Sequence, residues 1–420
     1  MGWRMRNMRI INRTLIPNIT IMKYHFNQGK KNLLENIEEG KHCETICEKI
    51  SSFFDMKNLC FLFGSGTSAK AIPLMKGLYE GLLDEKDKYP AEEKKFLENI
   101  EDERNIENVL GVLYSGRSYL KDLKNPSDDE KKMLVTINSL IKKIESFLKV
   151  KIDVLNKETW DDETCKTLDN YKKFYFKVAL RNKELSRINI FTTNNDMFNE
   201  VALDNLSIHY FNGFSGGVMK SFNPASFNYT LSKRMDTAID KYEPVENLVY
   251  LYKIHGSVNW IEDDAMGKET FFKIKELPLR NEVKDASVLV YPTPLKQNKS
   301  LGAPYVDLFR EFQHKLLEPN TVLFVIGYSF SDEHVNDIVY RALATNSTMN
   351  LVVINNISVD KVIAKIDDPR IYRIWSTDEA TGEKPIHHFS EIVEKLIPTK
   401  NAFDPEPLLK QFVHELHENR

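Results

Sequence analysis

Short apolar runs recur along the second half of the chain, between stretches where apolar residues return every three or four positions. INIF (188–191), NLVYLYKI (247–254), ASVLVYP (286–292), TVLFVIG (321–327) and NLVVIN (350–355) are rich in Val and Ile and mostly lack strict alternation with polar residues. Runs of this kind predict strands buried on both faces, and their alternation with helical patterns predicts an α/β fold with a mainly parallel sheet. An earlier run, LCFLF (59–63), leads into GSGTS and a candidate helix start, which predicts strand, Gly-rich turn and helix. Leu33, Leu34, Ile37, Ile46, Ile50 and Phe53 predict a helix within 32–55. Residues 91–185 are rich in Lys and Glu, and Leu134, Ile137, Ile141, Ile144 and Leu148 mark an amphipathic helical face. The whole stretch reads as a helical insertion subdomain whose expected role is packing. The organisation expected is a basic leader (1–31), the start of the core (32–90), the insertion (91–185), the rest of the core (186–400) and a helical tail (401–420).

Composition narrows the function classes. The 420 residues carry 58 Lys+Arg against 61 Asp+Glu, a net charge of −3, with 42% apolar and 28% charged residues. That is a globular composition, long enough to bury a core without disulfides. Near-neutral charge gives no basic footprint for direct nucleic-acid binding, and no apolar run is long enough to span a bilayer. Cys43, Cys47, Cys60 and Cys165 include no CxxC pair, which predicts reduced thiols and a cytoplasmic protein rather than a disulfide framework or a zinc site. The first 34 residues hold seven Lys/Arg and no acid. They read as a flexible leader or an over-extended start rather than a transit peptide.

The candidate chemistry falls just after predicted strand ends, where open parallel sheets bind ligands. Gly64-Ser65-Gly66-Thr67-Ser68 is either a tight turn or a loop able to approach a phosphate, ahead of a helix whose free N–H groups favour an anion. Thr192-Thr193-Asn194-Asn195-Asp196 can cap a helix or hydrogen-bond a ribose or an amide. His255, before Gly256, stands where a general base would, though a lone histidine can equally be structural. Gly213–Gly217 fits GxSxG, but Phe222-Asn223-Pro224 follows where an elbow needs a helix. His414-Glu415-Leu416-His417 is one residue short of a zinc-binding HExxH, and His387-His388 are neighbours that would not face one metal together. No metal site is expected.

Taken in order, GSGTS, Ala71-Ile72-Pro73, TTNND, HGS, GYS (Gly327-Tyr328-Ser329) and VINN resemble the sirtuin NAD-binding core, with its GAGxS loop, GIP segment, TQNID, catalytic HG, strand-end G-S/T loop and late Asn. The resemblance covers 58–75 and 188–357 and implies a Rossmann-like sheet with helices on both faces. The chain departs from deacylating sirtuins in lacking the two CxxC pairs of their zinc module. TTN-x-D, FNGFSG (211–216), LYK-x-HGS-x-W and GYSFSD resemble instead the bacterial sirtuin-like NAD hydrolases of anti-phage defence, above all the subunits that assemble with a HerA-type hexameric ATPase.

That resemblance implies NAD+ as substrate, cleaved between nicotinamide and ribose without a metal. It places Asn194 on the ribose hydroxyls and the attacking water, and His255 as the base. Asp196 would hold the nicotinamide carboxamide or orient its loop. Gly64, Ser65, Gly66, Thr67 and Ser68 would cradle the pyrophosphate, with Thr193 and Gly327 lining the cofactor site and Ser329 and Asn355 meeting the adenosine half. It also implies homo-oligomers and the ATPase as partner. No sensing domain is visible after about residue 400, so assembly is the expected gate. A deacylase and a non-catalytic NAD- or ADP-ribose-sensing scaffold are the alternatives.

Overall fold

The computed structural model describes residues 23–399, apart from 86–87, 100–105, 180, 183, 236–240, 263–272, 280–286, 290–303 and 378–383. Residues 1–22 of the expected leader, the tail 401–420 with its HELH, and all of the 286–292 run except 287–289 lie outside the described residues.

In chain order the strands are β1 (Lys23–Gln28), β2 (Lys31–Asn32), β3 (Asn58–Phe63), β4 (Ile188–Thr192), β5 (His209–Phe211), β6 (Phe214–Ser215), β7 (Lys220–Phe222), β8 (Ser232–Arg234), β9 (Tyr242–Pro244), β10 (Leu248–Lys253), β11 (Gly256–Glu262), β12 (Ile274–Glu276), β13 (Ser287–Leu289), β14 (Thr321–Ile326), β15 (Asn350–Ile354) and β16 (Ile371–Thr377). The principal helices are α1 (His42–Phe54), α2 (Met75–Asp84), α3 (Ala91–Glu98), α4 (Ile106–Lys121), α5 (Asp128–Ile152), α6 (Asp162–Ala179), α7 (Phe198–Asn205), α8 (Tyr305–Leu317) and α9 (Glu333–Thr345).

Among the described residues the main sheet runs β2-β1-β16-β15-β14-β3-β4-β10-β5. From β16 to β5 every neighbouring pair is parallel, and β1 and β2 close one edge antiparallel. The chain leaves β3 toward β4 and β10, then returns to the other side of β3 as β14, β15 and β16. The strand order therefore reverses between β3 and β14, and the crevice at the carboxyl ends of these strands is where an open α/β sheet takes a ligand.

The six residues of β3 are all buried, and they alternate between two cores. Phe61 and Phe63 face α1 and α6, where Phe174 meets both rings edge-on at 5.0 and 5.1 Å. Cys60 and Leu62 face the other side, with Leu308, Phe312 and Leu316 of α8 and Val335 and Val339 of α9. The sheet is thus covered on both faces, which is why its strands read as continuous apolar runs. Burying one such Phe contributes about 2–3 kcal/mol.

Between β3 and β4 the chain makes its helical excursion. Ser127 and Glu130 form a reciprocal capping box at the start of α5. Ile137, Ile141, Ile144 and Leu148 are buried at the spacing read from the sequence. The last helix of the stretch, α6, lies against the sheet: Tyr171 and Phe174 are fully buried against the β3 aromatics, and the buried Tyr175 packs on Phe174.

Other elements differ from the sequence reading. Lys23–Gln28, inside the expected leader, pairs with β16, burying Phe26 and stacking His25 on Trp375 at 4.7 Å. Lys30 and Lys31 lie exposed at the β1–β2 turn, so these two charges mark a hairpin tip. The helix expected from residue 32 starts at His42, after β2 and a turn. Ser287–Leu289 joins a separate antiparallel sheet, β13-β11-β12-β7-β6, and not the parallel one. After Gly64 comes a single 3-10 turn, Ser65–Thr67, and the next helix begins only at Met75. The Gly-rich loop therefore faces the crevice with turn backbone, without the helix N-terminus expected there.

Candidate functional site

Four loops meet at the carboxyl edge beside the reversal. The loops after β3 and β14 interlock through glycines. Gly66 N donates to the Gly327 carbonyl at 2.9 Å, and Gly327 has φ +66°. A Cβ on Gly66 would stand 2.7 Å from Gly327 Cα, and one on Gly327 would stand 2.7 Å from Thr67 N. Loop-to-loop contact by itself requires glycine at these positions.

The polar residues of the β3 and β4 loops form one buried network. Thr192, at the end of β4, accepts a bond from Asn194 N through its hydroxyl at 3.0 Å, which turns the Asn194 side chain toward the β3 loop. Asn194 Nδ2 donates to Thr67 Oγ1 at 3.0 Å and to Ser68 Oγ at 3.3 Å. Ser68 Oγ donates to Asp196 Oδ2 at 2.8 Å, and Asp196 Oδ1 accepts from Phe198 N, at the first residue of α7, at 3.1 Å. Tyr171, from α6, brings its hydroxyl to 2.6 Å from Thr67 Oγ1 and 3.1 Å from Ser68 Oγ. Burial pushes the Asp196 carboxyl above the usual carboxylate range, an effect opposed by the Lys253 charge and the Ser68 bond. Burial likewise pushes the Tyr171 phenol up, so it stays a neutral hydrogen-bonding group.

His255 lies on the third loop, just beyond β10. Asn195 Nδ2 donates to the His255 carbonyl at 2.7 Å and the Gly256 carbonyl at 3.2 Å, which fastens this loop to TTNND. The imidazole Nε2 is 3.1 Å from Asp332 Oδ2, an ion-pair distance, although the ring N–H axis is not directed along it. Asp332 begins α9, its other oxygen accepting from His334 N at 3.0 Å and Val335 N at 3.3 Å. Below the loop, the fully buried Lys253 pairs with Glu200 at 2.8 Å.

The structure brings Gly64, Gly66, Thr67, Ser68, Asn194, Asp196 and Gly327 together, and His255 joins them through Asn195. Thr193 is tied to the end of β3 by its N–H on the Phe63 carbonyl at 3.0 Å. Asn355 Nδ2 donates to the Tyr328 carbonyl at 3.0 Å, so β15 holds the β14 loop. Ser65 and Ser329 are exposed on their loops, Ser329 bonded to Ser331 at 3.0 Å. The sequence reading gave no role of their own to Asp332, Lys253, Asn195 and Tyr171. The one signal for Lys253 was a charged residue ending the apolar run LVYLYK.

The remaining motifs stay apart from this site. Ser215 of the GxSxG match is exposed in the β6–β7 hairpin, with no helix behind it. His387 is half-buried, and burial with the neighbouring His388 ring pushes it down to about 4. Among the described residues no group of three or more His, Cys, Asp or Glu is placed to hold a metal ion, and no helix is long and apolar enough to cross a membrane.

The strand order and the covered parallel sheet define a doubly wound, Rossmann-like α/β architecture. Within it, residues 188–372 match the family model described as SIR2-like domain. That segment holds TTNND, HGS, GYSFSD and Asn355. No curated protein is significantly similar to the chain. Solved structures similar to it include a Sir2 homolog–NAD complex, at 11% identity over 83% of this chain and 91% of that one with a TM-score of 0.39. A Sir2 homologue mutant–ADP-ribose complex is similar at 11% identity over 83% and 94%, with a TM-score of 0.38. A structure described as the basis for the mechanism and regulation of Sir2 enzymes is similar at 12% identity over 84% and 95%, with a TM-score of 0.35.

Proposed function

We propose that the chain is an NAD+ hydrolase that cleaves the bond between nicotinamide and ribose. The observation that carries this reading is the fastening of the Asn194 and His255 loops to each other by Asn195, at the ligand-binding edge of the sheet. The similarity of residues 188–372 to the SIR2-like domain supports it.

The chemistry asks little acid catalysis of the protein. Nicotinamide is a pyridinium in NAD+ and leaves neutral, so the barrier is formation of an oxocarbenium-like ribose centre. Asn194 commits its amide protons to Thr67 and Ser68, which leaves Oδ1 as the acceptor for a ribose hydroxyl or the attacking water. His255 takes the proton from that oxygen. Asp332 stands 3.1 Å from Nε2, close enough to favour the imidazolium that forms as His255 takes up the proton. Asp196 is committed to Ser68 and to the α7 N–H, so its part is to orient the loop. The turn over residues 64–67, with Ser65 exposed on it, borders the pyrophosphate by close approach of its backbone, while Ser329 and Asn355 border the adenosine half.

Chromatography of NAD+ incubated with the protein tests this directly. Free nicotinamide with ADP-ribose supports it, an acyl-ADP-ribose formed only with acylated peptide points to a deacylase, and tight calorimetric binding of intact NAD+ points to a scaffold. Asp332→Asn is expected to lower turnover by about ten- to a hundredfold. Asn caps a helix as well as Asp does, so the fold should persist. Unchanged turnover in this variant would remove Asp332 from the mechanism.

The proposal extends to setting. Unregulated NAD+ loss would kill a cell, so the protein is read as a gated, cytoplasmic, homo-oligomeric subunit of bacterial anti-phage defence working with a HerA-type ATPase. Support for this is the likeness of FNGFSG, LYK-x-HGS-x-W and GYSFSD to that group. Co-expression should yield one large particle by size exclusion, and separate elution at micromolar concentration counts against the partnership.

A further inference from the structure

Lys253 ends β10, two residues before His255, and its side chain is completely buried. An ammonium group has three donors and no acceptor, so each contact it makes is with an oxygen or a charge. Its Nζ lies 2.8 Å from Glu200 Oε1 on α7 and 2.6 Å from Ser257 Oγ at the start of β11. It also donates to the carbonyl of Asp196 and lies 3.5 Å from that of Asn195. Ser257 extends the cluster, its hydroxyl standing 3.4 Å from the same Asn195 carbonyl. The oxygens come from three elements and flank Asn194 on one side and His255 on the other.

Charge balance explains only part of this. A buried ammonium needs a counter-charge, and Glu200 supplies one. Glu200 does not require the ammonium to sit against two backbone carbonyls of the TTNND loop and a hydroxyl of the HGS segment. Backbone bonds already fix Ile254 N to the Thr192 carbonyl and Val258 N to the Asn195 carbonyl, both at 3.0 Å. His255 lies between those two ties, its carbonyl held by Asn195 Nδ2 at 2.7 Å. The ammonium contacts the chain on both sides of that span, at the Asp196 carbonyl and at Ser257 Oγ.

We propose that Lys253 is a positioning residue: its buried ammonium gathers the Asn195 and Asp196 carbonyls, Ser257 and Glu200 at one point, and so sets Asn194 and His255 relative to each other. Its effect on turnover rests on the NAD+ cleavage proposed above. Its effect on the loops does not.

Two variants separate positioning from charge balance. Lys253→Met combined with Glu200→Leu removes both charges and strands neither, an exchange that buried ion pairs often tolerate. Lys253→Arg keeps the charge beside Glu200 but replaces a compact donor by a planar fork. Amide hydrogen exchange over residues 194–197 and 255–258, the urea midpoint, kcat and KM for NAD+ are measured in each. The double variant is expected to fold, to exchange roughly tenfold faster in those two segments alone, and to lose at least about tenfold in kcat with KM little changed. Lys253→Arg is expected to fold with a smaller fall in kcat. A folded double variant with wild-type exchange and kcat overturns the proposal, since Lys253 would then only neutralise Glu200. Failure of both variants to fold overturns it too, because Lys253 would be a folding residue. A wild-type protein that leaves NAD+ intact, with exchange rising as expected in the variants, sinks the cleavage reading and leaves the positioning of the loops standing.

Discussion

Asn194→Ala and His255→Ala are each expected to lower NAD+ turnover by about a hundredfold or more while the protein stays folded. The asymmetry follows from what each truncation leaves behind. Without the Asn194 amide, Thr67 Oγ1 and Ser68 Oγ still have the Tyr171 hydroxyl, and Ser68 still reaches Asp196. The stability cost is therefore that of two ordinary hydrogen bonds, about 2 kcal/mol. Removing the His255 ring leaves Asp332 with its two backbone bonds at the start of α9. Asn195 still holds the loop, because it binds the His255 and Gly256 carbonyls rather than the imidazole. Nicotinamide release measured beside the urea midpoint separates the two effects. Wild-type turnover in both folded variants would dismiss the roles given to Asn194 and His255.

Gly327→Val should cause the largest loss of stability. Its φ of +66° lies in the left-handed region, which costs an L-residue about 1–2 kcal/mol before any contact is counted. Its Cβ would also stand 2.7 Å from Thr67 N and 2.8 Å from Gly66 C, which are backbone atoms and cannot swing away. A total loss of about 3 kcal/mol or more is expected, read as a lower urea midpoint. The displaced Thr67 carries the hydroxyl that anchors Asn194, so turnover should fall even where the variant remains folded. Gly217→Ala is the control: a Cβ there meets nothing within 4 Å, and the midpoint should not move. A wild-type midpoint for Gly327→Val would show that the loops do not depend on their interlock.

The core strands were legible because burial on both faces leaves only one pattern, a continuous apolar run, as in β3, β14 and β15. The places of Asn194 and His255 at the sheet edge were legible because each closely follows such a run. Tyr171, Lys253 and Asp332 were not, because their partners are set by strand order. Tyr171 reaches Thr67 only after a long helical excursion returns to the sheet, and Asp332 meets His255 only because β14 comes back to the other side of β3. The antiparallel sheet escaped notice for another reason: β6, β7 and β12 are two or three residues long, too short to show alternation. Lys23–Gln28 was hidden by its charged surroundings, since its partner, β16, was itself not read as a strand. The missing helix after Gly64 shows the limit of local reading, for the turn there is shaped by Gly327, from a distant part of the chain.

The positions of β3's neighbours also bear on timing. Asn194 meets Thr67 across 127 residues of chain, and Asn58 meets Pro319 across 261. Contacts of such long range form slowly. During synthesis, the β3 loop emerges long before anything that completes the site. TTNND arrives next, then His255, and the carboxylate of Asp332 and the interlocking Gly327 come last. A growing chain would therefore hold an unfinished crevice until Asp332 had been made.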